Sequence, residues 1–198
     1  MVAERPGRLV LVRHGESDGN RDRVFTPTPE VGLTDAGRTQ VVETGEWIAA
    51  RFAPVAIVSS PFRRARETAE ILATRLAVPV RVEEDLRERS YGALAGRPYG
   101  SARETDGWDP DRYWLWRPPG EGESLEDVAG RAGAVLDRIA RGAPGVDVVV
   151  VSHGAVMHAL WWHVAGAWST RKVARNAGVF VAEHRGGGWQ GIVTVDEG

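Results

Sequence analysis

Two His-Gly pairs, His14-Gly15 and His153-Gly154, are the residues of this chain best suited to covalent or anion chemistry. Each follows a run of apolar, β-favouring residues, Leu9 to Val12 and Val146 to Val151, so each imidazole is expected just past the carboxyl end of a buried strand. Imidazole changes charge near neutral pH and acts as nucleophile, acid or base, and a glycine beside it lets a ligand approach the backbone. Although 139 positions (153 − 14) separate the two histidines, the ends of parallel strands share one edge of a sheet. Arg13 precedes the first histidine, and Arg63, Arg64 and Arg66 open the segment after a further apolar run. Planar guanidiniums suit a phosphoryl group in transfer, whose equatorial oxygens carry the charge. Three arginines on one helix do not all face one site; two are expected on a solvated face, and spacing does not say which is the third.

The elements that must position these groups follow from periodicity. Leu9 to Val12 reads as a first central strand. Thr34 is a suitable N-cap, with Asp35 in the first turn, for a helix carrying Val41, Val42, Trp47, Ile48 and Phe52 at helical spacing. Val55 to Val58 is a second strand, followed by Ser60 as N-cap and Pro61 as first residue of a helix to about residue 76. Val78 to Val82 reads as a third strand. The stretch from Glu83 to Glu123 is polar, rich in Gly, Pro and Trp, and aperiodic, an excursion over the site. Ser124 and Asp127 form a capping box for a helix to about residue 140. Strand 146–151, helix 155–164 and two terminal strands near 178–184 and 189–195, joined by a turn at Gly186 to Gly188, complete the chain. The βαβα alternation implies an α/β three-layer sandwich with a mostly parallel sheet and a ligand site at the carboxyl ends of its strands.

Bulk properties narrow the chemistry. A length of 198 residues is that of a single domain, expected to span 1–198 with a lid-like excursion at about 89–123. The formal net charge of −2 supplies no cationic field for a nucleic acid or an anionic membrane, so anions must be caught locally. Without cysteine, thiolate nucleophiles, disulfides and Cys-ligated metals are excluded. The four-residue apolar stretch near the N-terminus is too short for a signal core or a membrane span, which makes the cytoplasm the expected location. His158 and His163 follow His153 at intervals of five, each turned by about 140° around a helix, so they share no metal-binding face and are assigned to packing or surface. His184 has no partner at ligand spacing. Trp108, Tyr113, Trp114 and Trp116 suit either stacking on a substrate or packing over the sheet, whereas Trp161, Trp162 and Trp168 suit the core or a subunit contact.

The chain resembles the histidine phosphatase superfamily, also called the phosphoglycerate mutase-like family. Arg13-His14-Gly15-Glu16-Ser17 matches its RHGE-type signature, with Asn20 at the family's phosphate-contacting asparagine. Gly32 to Gly37 is similar to its LT-x-x-G segment, and Ser59 to Ala69 to its SS-x-x-x-RA-x-x-TA helix, which singles out Arg64. Leu86 to Gly92 resembles the L-x-E-x-x-x-G segment, which places the catalytic acid at Glu88; Gly122-Glu123-Ser124 and Val151-Ser152-His153-Gly154 follow in family order, with a weaker match at Asn176. The resemblance implies a phosphohistidine mechanism on a small phosphorylated metabolite. His14 is the nucleophile, Glu88 the general acid and then base, and Arg13, Arg64 and His153 the ligands of the phosphoryl oxygens, with Asn20 and Gly154 lining the substrate. It implies no metal and no cofactor, because cationic side chains take the metal's electrostatic role. A homodimer would be ordinary for such a protein.

Within the family, a phosphatase is favoured over a cofactor-dependent phosphoglycerate mutase. The excursion is short, its arginines Arg103, Arg112 and Arg117 are scattered, and His153-Gly154 is followed by Ala155-Val156 rather than by Asn-Ser. Glu88 to Gly96 is mutase-like, which keeps that alternative open. A non-catalytic phospholigand or protein-binding module on the same fold is the other alternative, but it would have no physical requirement for both His14 and Glu88.

Overall fold

The computed structural model describes residues 5–26, 28–168, 174–186 and 188–195. Its centre is one six-stranded sheet in the order β3-β2-β4-β1-β5-β6. Strands β1 (Gly7–Arg13), β2 (Pro54–Ser59), β3 (Val80–Val82) and β4 (Asp147–Ser152) are mutually parallel. β5 (Val179–Arg185) and β6 (Gly188–Val195) add an antiparallel edge. Alternation along the strands divides the core into two. Leu9, Leu11, Val148 and Val150 face α4 (Leu125–Gly142) and α5 (Gly154–Ala165). Val10, Val12, Val149 and Val151 face α2 (Asp35–Ala49) and α3 (Arg63–Leu76). The result is the expected α/β sandwich, with a short α1 (Asp18–Arg21) beside the end of β1. Leu9 to Val12 are wholly buried, and at about 1.5–3 kcal/mol per buried aliphatic side chain they fix β1 at the centre.

Caps follow the sequence reading at two helices and depart from it at a third. Thr34 Oγ1 accepts the Gly37 amide at 3.0 Å, and Ser124 with Asp127 closes a reciprocal capping box on α4. α3, however, starts at Arg63 with Phe62 as N-cap, not at Pro61 with Ser60 as cap. The Ser60 hydroxyl is engaged by His153 Nε2 at 2.7 Å, and the amide it does accept is that of Phe62, at 3.3 Å. β3 is shorter than Val78 to Val82 because Pro79 has no N–H for the ladder; its carbonyl accepts the Ile57 amide at 2.9 Å. The segment between β3 and α4 winds through short 3-10 turns at Glu84–Leu86, Gly92–Leu94 and Tyr99–Glu104. Leu94, Ala102 and Trp116 from it enclose Phe25 in a small third core. No helix among the described residues is long and apolar enough to cross a membrane.

The turn after β1 is held against α2 by glycines. A Cβ on Gly15 would strike the Gly37 carbonyl, and a Cβ on Gly37 would strike the Glu16 carbonyl. Both backbones have other bonds that keep them in place: the Glu16 amide donates to Gln40 Oε1 at 3.0 Å and the Thr34 amide to the Glu16 carbonyl at 2.9 Å. Gly37→Ala is therefore expected to lower unfolding free energy by about 1–3 kcal/mol in urea titrations, because neither segment can retreat. An unchanged denaturation midpoint would show the contact to be loose.

Candidate active site

Parallel β1, β2 and β4 end at one edge, and that edge carries the chemistry. Arg13 is the last residue of β1, Ser60 follows β2, and His153, after β4, is the N-cap of α5. The rings of His14 and His153 lie 5.1 Å apart at 62°, the juxtaposition expected from the sequence. His14 Nδ1 lies 2.6 Å from the Gly15 carbonyl, which can only accept, so Nδ1 carries the proton and Nε2 a lone pair. Arg64 Nε donates to that lone pair at 3.2 Å. Burial, reinforced by the Arg64 and Arg13 cations, holds the His14 imidazole well below its usual pKa and therefore neutral. His153 is lowered well below its usual value first by burial and then by Arg64.

Of the three arginines at the start of α3, Arg64 is the buried one, at 2% exposure. Arg63 pairs with Glu67 on the surface and Arg66 is exposed. Arg64 Nη1 and Arg13 Nε are buried without a partner among the described residues, although Arg13 Nη1 donates to the Ala174 carbonyl at 2.8 Å. Buried donors of this kind are uncommon in a folded protein, and here they converge on His14 at the N-terminus of α5, whose dipole also favours an anion. Gly154 is the first residue of that helix, and a Cβ there would lie 3.4 Å from the Arg13 guanidinium.

Glu88 is half-buried and faces the same cavity as His14, Arg13 and Arg64. Loss of water raises its pKa, and Arg64, the Arg89 amide and Arg13 pull against that rise without reversing it. Its Oε1 accepts the Arg89 amide at 2.8 Å. Tyr91 beside it stays a phenol, pushed up by burial and then by the Glu88 carboxylate. Asn20 lines the cavity too, but its Oδ1 is committed to Ser17 and to Asn176 Nδ2 at 3.1 Å, and its Nδ2 donates to the Tyr99 hydroxyl at 3.2 Å. The cavity has a volume of about 850 Å³. His153 is wholly buried beside His14 and is not among the residues that line the cavity, with Nδ1 unpartnered among the described residues.

Some residues take places that sequence reading did not give them. His158 is buried as expected, yet it also borders the cavity, with Nε2 2.8 Å from the Tyr113 hydroxyl. Its spacing of four from Gly154, which puts both on one face of α5, was the available signal. Ser60, which the sequence gives only a cap's role, is instead the partner of His153. His163 pairs with Asp137 at 3.0 Å, and His184 is buried against Trp189, both away from this edge. Trp108, Tyr113 and Trp116 line the cavity, whereas Trp114 stacks on Trp168 at 5.9 Å, so the excursion's aromatic residues divide between the two roles expected of them. No group of three or more His, Asp or Glu among the described residues is arranged to hold a metal.

A parallel-stranded α/β sandwich with a buried histidine among guanidiniums at the carboxyl edge is an arrangement suited to binding an anion such as a phosphoryl group. The chain belongs to the histidine phosphatase superfamily (branch 1), which it matches over residues 9–196. It is 40% identical over 152 residues to the bifunctional protein Rv2228c of Mycobacterium tuberculosis, a match covering 75% of this chain but only 41% of that protein. It is 33% identical to the metal-independent phosphoserine phosphatase of Arabidopsis thaliana, covering 91% of this chain and 78% of that one. Among solved structures it resembles the native mycobacterial glucosyl-3-phosphoglycerate phosphatase Rv2419c, with a TM-score of 0.81 at 30% identity over 96% of this chain and 98% of the other.

Proposed function

We propose that this protein is a metal-independent phosphomonoester hydrolase that acts through a phosphohistidine on His14. The observation that carries the reading is the contact of His14 Nδ1 with the Gly15 carbonyl at 2.6 Å, from which the tautomer follows. A proton fixed on Nδ1 by the Gly15 carbonyl leaves the Nε2 lone pair directed at Arg64, inside the cavity. A phosphoryl group seated there draws the guanidinium of Arg64 onto its oxygens and frees Nε2 for in-line attack. As the N–P bond forms, the bond from phosphorus to the leaving oxygen breaks, and the protonated Glu88 gives its proton to that oxygen. Water then attacks phosphorus, Glu88 takes the water proton, and the N–P bond breaks to return its pair to Nε2 and release phosphate. Arg13 and Arg64 hold the phosphoryl oxygens, and His153, buried outside the cavity lining with Nδ1 unpartnered among the described residues, joins them once the seated phosphoryl group reaches that nitrogen; Asn20 and Gly154 shape the substrate's approach. An excursion that acts as a lid over a single domain agrees with the placement of residues 89–123 around the cavity.

Hydrolysis rather than mutase chemistry is supported by Arg89, a cation of the mutase-like segment Glu88 to Gly96. Its Nε and Nη2 are spent on the carbonyls of Glu123 and Trp116, at 2.6 and 2.7 Å, which keeps it from holding a second anionic group. The test is phosphate release from phosphorylated metabolites in excess EDTA, followed by phosphorus NMR. Free phosphate in EDTA is the expected result. Interconversion of phosphoglycerates without release would make the protein a mutase, and binding without turnover would leave a phospholigand module. Arg64→Lys is expected to lower kcat/KM by about 10²-fold, because an ammonium cannot reproduce the fork that spans two phosphoryl oxygens. An effect under about threefold would show that Arg64 does not contact the transferred group.

A further inference from the structure

We infer that the cavity selects phosphomonoesters whose leaving group carries a planar aromatic or heteroaromatic ring, an inference that rests on the phosphatase reading and names its substrate class. A volume of about 850 Å³ lies toward the upper end of the range, about 300–1,000 Å³, that holds drug-sized ligands. A three-carbon phosphate ester would leave most of it to water. The space beyond the phosphoryl end is lined by rings in two groups. Phe25 packs on Tyr91 at 4.2 Å and on Tyr99 at 5.1 Å, and Trp108 meets Trp116 edge to face at 4.9 Å.

Apart from Tyr99, which is 36% exposed, these rings are buried or half-buried. Trp116 is 5% exposed and belongs, with Phe25 and Leu94, to the small core of the excursion. Arg89 sits 5.1 Å over Trp116 and 5.6 Å over Tyr91 while donating to two backbone carbonyls. A wall ordered in advance loses little entropy when a flat ring lies on it. The lining also holds the hydroxyls of Thr26, Thr28 and Ser90, but it has few carboxylate and amide acceptors for a polyhydroxylated leaving group. Its carboxylate is Glu88, committed to proton transfer in the proposed reaction, and its amide side chain is Asn20, whose Oδ1 is already held by Ser17 and Asn176. Tyr113, whose hydroxyl is engaged by His158 Nε2 at 2.8 Å and the Trp168 carbonyl at 3.5 Å, adds a further fixed ring to the lining. Arg23 and Arg103 bring positive charge to the lining.

The test compares benzyl phosphate with cyclohexylmethyl phosphate, which share a primary alkoxide leaving group and differ in the planarity of the ring. Titration calorimetry on the full chain carrying His14→Ala reads affinity without turnover. The planar ester is expected to bind about tenfold more tightly, in the range of stacking on one aromatic side chain. Trp108→Leu or Tyr113→Leu in the same background should bring the ratio to within about twofold, Trp108→Phe should retain it, and affinity for inorganic phosphate should not change. Equal affinities for the two esters would overturn the inference, as would a preference indifferent to both leucine variants. Hydrolysis of the two esters by the wild-type chain is scored separately. Turnover without ring preference would sink the substrate class and spare the phosphatase reading, and ring preference without turnover would do the reverse.

Discussion

His14→Ala is expected to lower kcat by at least about 10³-fold on every phosphomonoester the protein turns over, the scale seen when a covalent nucleophile is removed. The loss is large because the surrounding groups have no second route to the product. Arg64, Arg13 and the N-terminus of α5 can still bind and neutralise a phosphoryl group. The nearest other imidazole, His153, is wholly buried beside His14 and outside the cavity lining, with its Nε2 on Ser60. Substrate affinity should therefore survive while turnover disappears, so steady-state kinetics would be paired with titration of a substrate. The histidine is neutral for a physical reason that the variant does not disturb elsewhere: burial and two guanidiniums oppose its protonation. In the wild type, kcat should accordingly show no acid limb from His14 near the ordinary imidazole value of about 6.5. A variant that keeps a tenth of wild-type kcat would mean that phosphorus is attacked by another group.

Glu88→Gln has the second largest expected effect, and the effect should depend on the leaving group. For alkyl phosphates, whose alkoxide must be protonated as it departs, kcat should fall by about 10²- to 10⁴-fold. For 4-nitrophenyl phosphate the departing phenolate needs no proton, so formation of the phosphoenzyme should be nearly normal. Its hydrolysis still needs Glu88 to take a proton from water. The expected trace is a burst of nitrophenolate equal to the enzyme concentration, then a slow steady state. The sign of the pH effect follows from the raised pKa of Glu88, caused first by burial. As an acid in the first step the group must be protonated, so wild-type kcat for alkyl esters should decline as pH rises through that raised value, and Glu88→Gln should lack the decline. An alkaline limb that persists in the glutamine variant would assign it to another group.

The edge that holds these residues was legible in the sequence because its parts are local. The apolar runs at Leu9 to Val12 and Val148 to Val151 are buried on both faces, and such strands show as unbroken hydrophobic stretches. Parallel pairing then brings His14 and His153 to one edge, whatever lies between them. Arg64 could not be told from Arg63 and Arg66 by spacing, and the family resemblance distinguished it. Ser-Pro before a basic, polar run looks like a helix start, so the sequence alone gives Ser60 a cap's role that the structure does not bear out. Only the fold shows that His153, 93 positions away, holds its hydroxyl. The interior of the 83–123 segment was illegible for a similar reason. Phe25 meets Leu94, Ala102 and Trp116 across some 70–90 positions, without a repeat that periodicity could detect, on 3-10 turns whose side chains carry no amphipathic signature. Five-residue spacing from His153 excludes a metal face for His158 but carries no sign of its contact with Tyr113, 45 positions away.

The most direct measurement is to mix the Glu88→Gln protein with 4-nitrophenyl phosphate in EDTA, quench in base and map the modified peptide by mass spectrometry. A phosphoryl group on the peptide containing His14, stable in base and lost in mild acid, with a yield that matches the nitrophenolate burst, is the expected result. A burst with no adduct, or an adduct on a peptide that excludes His14, would contradict phosphoryl transfer through His14.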